Sequence, residues 1–254
     1  MAEQAQDTRL GNEVKLLKSG NLTGALGGLG LAVILIGAAL AIGIIWNTAE
    51  IPAALCVAGL LIFAASLFGL PSAIRNRKTQ MAVHEHGFAF NDGKTQFSIR
   101  WDEITAVWKK YTRTSRGRTN LSLVTVEGRG GARLAFSPDT LNQGLAVTEY
   151  IQQRALEFQL PAYLKAYQQG QTLAFGPVEM SESGLAIGGK RLMWDQVKSI
   201  TNYGWALAIN ESGLSAWGSA DGSAVPNPTL LLHVIQRVGG KGVKLKLPET
   251  VTLK

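Results

Sequence analysis

Residues 25–70 form an almost unbroken apolar stretch with one polar interruption, Asn47-Thr48-Ala49-Glu50. Ala25–Trp46 and Ile51–Leu70 carry no charge. As helices they would reach about 33 Å and about 30 Å, against a hydrocarbon core of roughly 30 Å. The pattern therefore predicts a two-helix transmembrane hairpin over 25–70, turning at 47–50. Trp46 falls where an interfacial aromatic belongs, and Pro52 falls in the first turn of the second helix. A cleaved signal peptide fits less well, because the first run starts late, is too long, and is followed at once by a second.

After residue 70 the apolar positions are spaced differently. Phe97, Ile99 and Trp101 alternate with polar neighbours, as on a half-buried strand. Ile104–Tyr111 and Leu121–Val126 read as strands around a polar, basic loop, and Leu134 and Phe136 mark another. Leu141, Leu145, Thr148, Ile151, Ala155 and Phe158 share one helical face, and a second helix is expected from Pro161 to Gln169. Further on, Trp205–Ile209 and Leu214–Trp217 read as a hairpin. Asn227 and Pro228 open a closing helix that runs to about Val238. The end, 239–254, alternates Lys with Val and Leu. It reads as an edge strand or as an unstructured tail.

One stretch occurs twice. Glu85-His86-Gly87-Phe88-Ala89-Phe90 precedes Ile99-Arg100-Trp101-Asp102-Glu103-Ile104; Glu182-Ser183-Gly184-Leu185-Ala186-Ile187 precedes Leu192-Met193-Trp194-Asp195-Gln196-Val197. Both have the same order of acid, glycine, apolar-Ala-apolar and Trp-Asp, which marks a duplicated unit. The expected domains are a cytoplasmic tail (1–24), the hairpin (25–70), a first unit (79–170), a second unit (171–238) and a tail (239–254).

Composition adds an address. The chain of 254 residues carries a formal charge of +7, and 22 of its 25 Lys and Arg follow residue 70. Arg9, Lys15 and Lys18 precede the apolar stretch, Arg75, Arg77 and Lys78 follow it, and the turn has none. That distribution places both termini in the cytoplasm of a multi-pass plasma-membrane protein. The single cysteine, Cys56, excludes an intramolecular disulfide and a thiolate cluster. Small residues four apart (Gly24 and Gly28, Ala39 and Gly43, Ala54 and Ala58, Ala65 and Gly69) suit close helix packing within the hairpin or between copies.

Several short strands closed by a helix is the plan of a PH-like barrel. The stretch Trp101-Asp102-Glu103-Ile104-Thr105-Ala106-Val107-Trp108, then Ala166-Tyr167-Gln168-Gln169-Gly170, Phe175-Gly176-Pro177 and Pro226-Asn227, resembles a bacterial membrane-anchored tandem PH-like family of unknown function. The resemblance covers about residues 81–238. It implies an α+β fold, with a transmembrane hairpin followed by two PH-like β-barrel modules, each closed by a C-terminal helix. It implies no activity and no cofactor.

The candidate site is the basic loop: Lys109, Lys110, Arg113, Arg116 and Arg118, with Tyr111 among them. Converging cations can hold the phosphate oxygens of an anionic lipid headgroup. A solvated hairpin tip is the plainer reading. His84 and His86 could share one face of a strand, but further metal ligands are not near in sequence, and no metal is expected. Trp101 and Trp194 read as core anchors. Gly128, Gly130 and Gly131 lack the Gly-Lys-Ser/Thr of a phosphate loop, and no Gly-x-Ser-x-Gly elbow occurs. Nucleic acid is not expected as a partner. The function expected is a non-enzymatic, membrane-tethered adaptor binding protein or anionic lipid; the alternative is a regulatory or sensing subunit of a larger transport or envelope-assembly complex.

Overall fold

The computed structural model describes residues 8–19, 30–39, 57–64, 78–113, 119–204, 206–211, 218–238 and 243–246. Strand β1 (Glu13–Lys18) already departs from the expected tail. It pairs antiparallel with β2 (Gln80–His84), Lys18 opposite Gln80, and the Ser19 amide donates to the Thr79 carbonyl at 3.0 Å. Leu17 is buried and Lys15 reaches the Gln143 side chain at 2.7 Å. Those lysines are thus strand residues rather than membrane flanks, and the chain leaves and re-enters the sheet at one point around residues 20–77.

The expected transmembrane hairpin is corrected here. Among the described residues no helix is long and apolar enough to cross a membrane. The described helices in this stretch are α1 (residues 30–39) and α2 (residues 57–64). A charge-free run permits a span without requiring one, and this run is diluted by Gly and Ala. The two-span integral membrane placement and the multi-pass plasma-membrane localisation fall with it. The turn at 47–50, Trp46, Arg75 and Arg77 lie outside the described residues, as do Gly24, Gly28, Gly43, Ala54, Ala65 and Gly69. Lys78 is described and exposed, its stem lying over Gly93. The two helices meet where a side chain added at Gly59 would strike Ile36.

The expected closed barrels are corrected too. Strands β1–β2–β3–β4 form one sheet, with β3 at Gly87–Asn91 and β4 at Gln96–Arg100. Strands β5 (Ile104–Arg113), β6 (Thr119–Gly128) and β7 (Arg133–Phe136) form a separate one. The same order then recurs. Strands β8 (Leu173–Phe175), β9 (Val178–Ser181), β10 (Gly184–Ile187) and β11 (Lys190–Met193) form a four-stranded sheet. Strands β12 (Val197–Asn202), β13 (Ala206–Glu211) and β14 (Gly218–Asp221) follow as the next. A tight turn at Trp101–Glu103, and another at Trp194–Gln196, breaks the chain between the sheets of each unit, so the ladders do not close. The result is a mixed α+β fold of separate antiparallel sheets.

Each turn is built alike. Gly87 and Gly184 are obligatory, because a Cβ would run into the carbonyls of Ile99 and Leu192 at 2.2 and 2.0 Å. The Trp101 indole N–H donates to the Glu85 carbonyl and the Trp194 indole N–H to the Ser181 carbonyl. Glu103 accepts from the Arg100 amide and Gln196 from the Met193 amide, so acid and amide do one job.

Helix α3 (Gly144–Gln168) is a single helix of 25 residues, where two were expected. Pro161 sits inside it: the lost N–H is tolerated without ending the helix. Its buried face is Val147, Thr148, Ile151 and Ala155, whereas Leu145 and Phe158 are exposed. Val147, Ile151 and Ala155 enter the first core with Phe88, Trp101, Val107 and Val124. Beyond them Leu156, Leu160, Tyr163 and Leu164 pack on the second core, with Phe175, Leu185, Ile200 and Leu231. Thus α3 closes one unit and braces the other. Helix α4 (Pro228–Val238) closes the second unit and crosses α3. The last strand, β15 (Lys244–Lys246), pairs parallel with β12.

Candidate functional site

The basic loop is described only in part. Lys109 is buried, its side chain 9% exposed, and it pairs with Glu149 of α3 at 2.5 Å. Burial pulls its pKa down, and the Glu149 charge opposes that. Lys110 is exposed. Arg113 ends β5, and Arg116 and Arg118 lie outside the described residues. An alternating strand sends neighbouring residues to opposite faces, so Lys109 and Lys110 cannot converge on one phosphate. Burial, then the charge of Glu149, push the Tyr111 phenol up to about 12.

The histidines part as well. His84 is buried, with its ring facing the Gly11 carbonyl at 3.3 Å, while His86 is exposed. Among the described residues no three His, Cys, Asp or Glu side chains stand close enough to hold a metal.

What the fold does bring together are strand edges and chain segments that meet them. β5 is the edge of its sheet. Asn227, in the left-handed region at φ 48, docks against it. The Asn227 amide donates to the Val107 carbonyl at 2.9 Å, and the Val107 amide donates to Asn227 Oδ1 at 2.8 Å. The amide side chain stands in for the carbonyl of a pairing strand. Asn227 Nδ2 also donates to the Thr105 carbonyl and to Gln159 Oε1, and Gln159 Nε2 donates to the Ile104 carbonyl. From the sequence, Asn227 reads as a helix cap. It does precede α4, but its side chain serves the neighbouring unit. Gln159 went unnoticed because a polar residue on a mixed helix carries no signal until its partner is known.

The joint is extended on both sides. Tyr111 lies over Gly204, where an added Cβ would come within 2.8 Å of the ring. Asp221, held by the Ser223 amide and hydroxyl, is further favoured as a carboxylate by the charge of Lys110. A cleft lies between α3 and α4, lined in part by Gln152, Gln159, Asn227 and Thr229.

In the second unit β12 holds the place of β5. Its edge takes β15, Ser199 opposite Lys244, Ile200 opposite Leu245 and Thr201 opposite Lys246. Leu245 and Val243 pack against the second core. The same edge in each unit therefore receives an in-chain segment.

The chain belongs to a family of unknown function, DUF6585. The match covers residues 1–241, which takes in both units, the apolar stretch and the joint at Asn227. No curated protein matches the chain.

Proposed function

We propose that this member of the DUF6585 family is a non-enzymatic adaptor that grips an extended protein segment along a strand edge. One observation carries the reading: at equivalent positions, β5 and β12 each receive a segment of chain, through Asn227 and β15. An edge strand offers a row of N–H and C=O groups, and a peptide backbone is the complement of such a row. The β5 edge is engaged by Asn227 over Thr105–Val107, in a joint braced by α3. The β12 edge is covered by three residues only, and it is the edge from which a segment can be exchanged. Converging phosphate contacts have little to rest on, because Lys109 is spent on Glu149.

The test is a screen of extended decapeptides against the isotope-labelled chain, with binders mapped by amide chemical shifts. The reading expects shifts centred on residues 197–202 and their neighbours in β13. Binders that shift only residues away from both strand edges would overturn it.

A further inference from the structure

The two edges are closed with different firmness. At β5, one residue makes reciprocal bonds to Val107, a third bond to Thr105 and a fourth to Gln159, while α3 runs through both units. At β12, the closure is a three-residue parallel strand, and parallel pairing is the slightly weaker kind. β15 is anchored by two half-buried side chains, Val243 and Leu245, and Lys244 is exposed.

We infer that β15 is a resident stand-in for the partner. The β12 edge is a site for an extended protein segment with one apolar residue between two long polar ones, in the manner of Lys244-Leu245-Lys246, and β15 must leave before that segment enters. This rests on the strand-edge reading above and adds both the pattern of the partner and the gate. The pattern follows from the register. The residue opposite Ile200 meets the second core, and the residue opposite Ser199, Lys244, is exposed; Lys246 is opposite Thr201. The gate follows from tethering, since a strand on a short linker acts at an effective concentration in roughly the millimolar range.

The probe is a fluorescein-labelled peptide of residues 241–250, titrated into three proteins: the full chain, the full chain with Leu245→Asp, and a chain ending at Val238. Anisotropy should report binding to the two altered proteins about a hundredfold or more tighter than to the full chain. The same peptide with its leucine opposite Ile200 replaced by aspartate should bind none of them. Equal binding to all three would remove the gate and leave the strand-edge reading standing. Absence of binding to a Leu245→Asp protein that keeps the parental circular dichroism and a cooperative melt would overturn both. If the shortened chain does not fold, the Leu245→Asp protein decides alone.

Discussion

The turn of the first unit sets a buried tryptophan in its core, and that of the second sets a half-buried one against its own. Trp101 is fully enclosed, 5.6 Å from the Phe88 ring and edge-on to Tyr150 at 5.8 Å. Trp194 keeps the same indole hydrogen bond, but is only partly covered. The same contrast holds at the sheet edges, where Asn227 locks β5 and three residues of β15 cover β12. The two copies thus differ in how deeply the turn tryptophan is set and in how the neighbouring edge is closed, and the three-residue closure at β12 is the one that can be exchanged.

The largest expected effect separates the cores. Trp101→Ala should cost about 3–5 kcal/mol and Trp194→Ala about half of that, read from urea unfolding of each variant. Equal costs would erase the contrast. Next comes the joint. Asn227→Ala strands the Val107 amide, the Thr105 carbonyl and Gln159, and should cost about 1–3 kcal/mol. Asn227→Gly tolerates φ 48 and isolates the hydrogen-bond loss from the backbone strain. Leu245→Asp should cost less than either Asn227 variant if β12 is the looser edge; a larger cost would reverse the comparison.

The smallest effect is one of pH. Burial, then the charge of Arg237, hold the His233 pKa below its ordinary 6.5. The unfolded chain then takes up the proton first. Stability is undiminished above about pH 6.5 and falls as the pH drops from there through the folded value. Melting temperatures at pH 8 and pH 5 should show a drop that His233→Gln reduces. Tyr111 acts at the other end. Its folded pKa of about 12 against an ordinary 10.0 means that stability declines as pH rises from 10 to 12.

The two matched turns were legible in the sequence because their signals are local. The glycine that lets strands approach, the Trp-Asp turn and the acid or amide that caps it all fall within twenty residues. Asn227 and Pro228 marked the start of α4 for the same reason. The apolar run misled because hydropathy reports what a segment tolerates, and a charge-free run permits a spanning helix without requiring one. Pro161 misled because a proline that opens one helix can also sit within another when packing against a second core holds the turns around it. β1 was out of reach: its partner β2 lies beyond the apolar stretch, and a six-residue strand mixing Lys with Leu has no distinctive period. Lys109 leaves the basic cluster for Glu149, since a lysine destined for a buried pair looks no different in sequence from one destined for solvent. An edge strand within 239–254 was legible as one of two readings, but that it covers β12 was not, because which strand ends a sheet is a property of topology.

Native-state hydrogen exchange on the full chain and on the Leu245→Asp chain tests the central contrast most directly. The account predicts that the β12 amides paired with β15 lose protection in the variant, while the Val107 amide, held by Asn227, exchanges as before. Unchanged protection along β12, or loss at Val107 to the same extent, would contradict it.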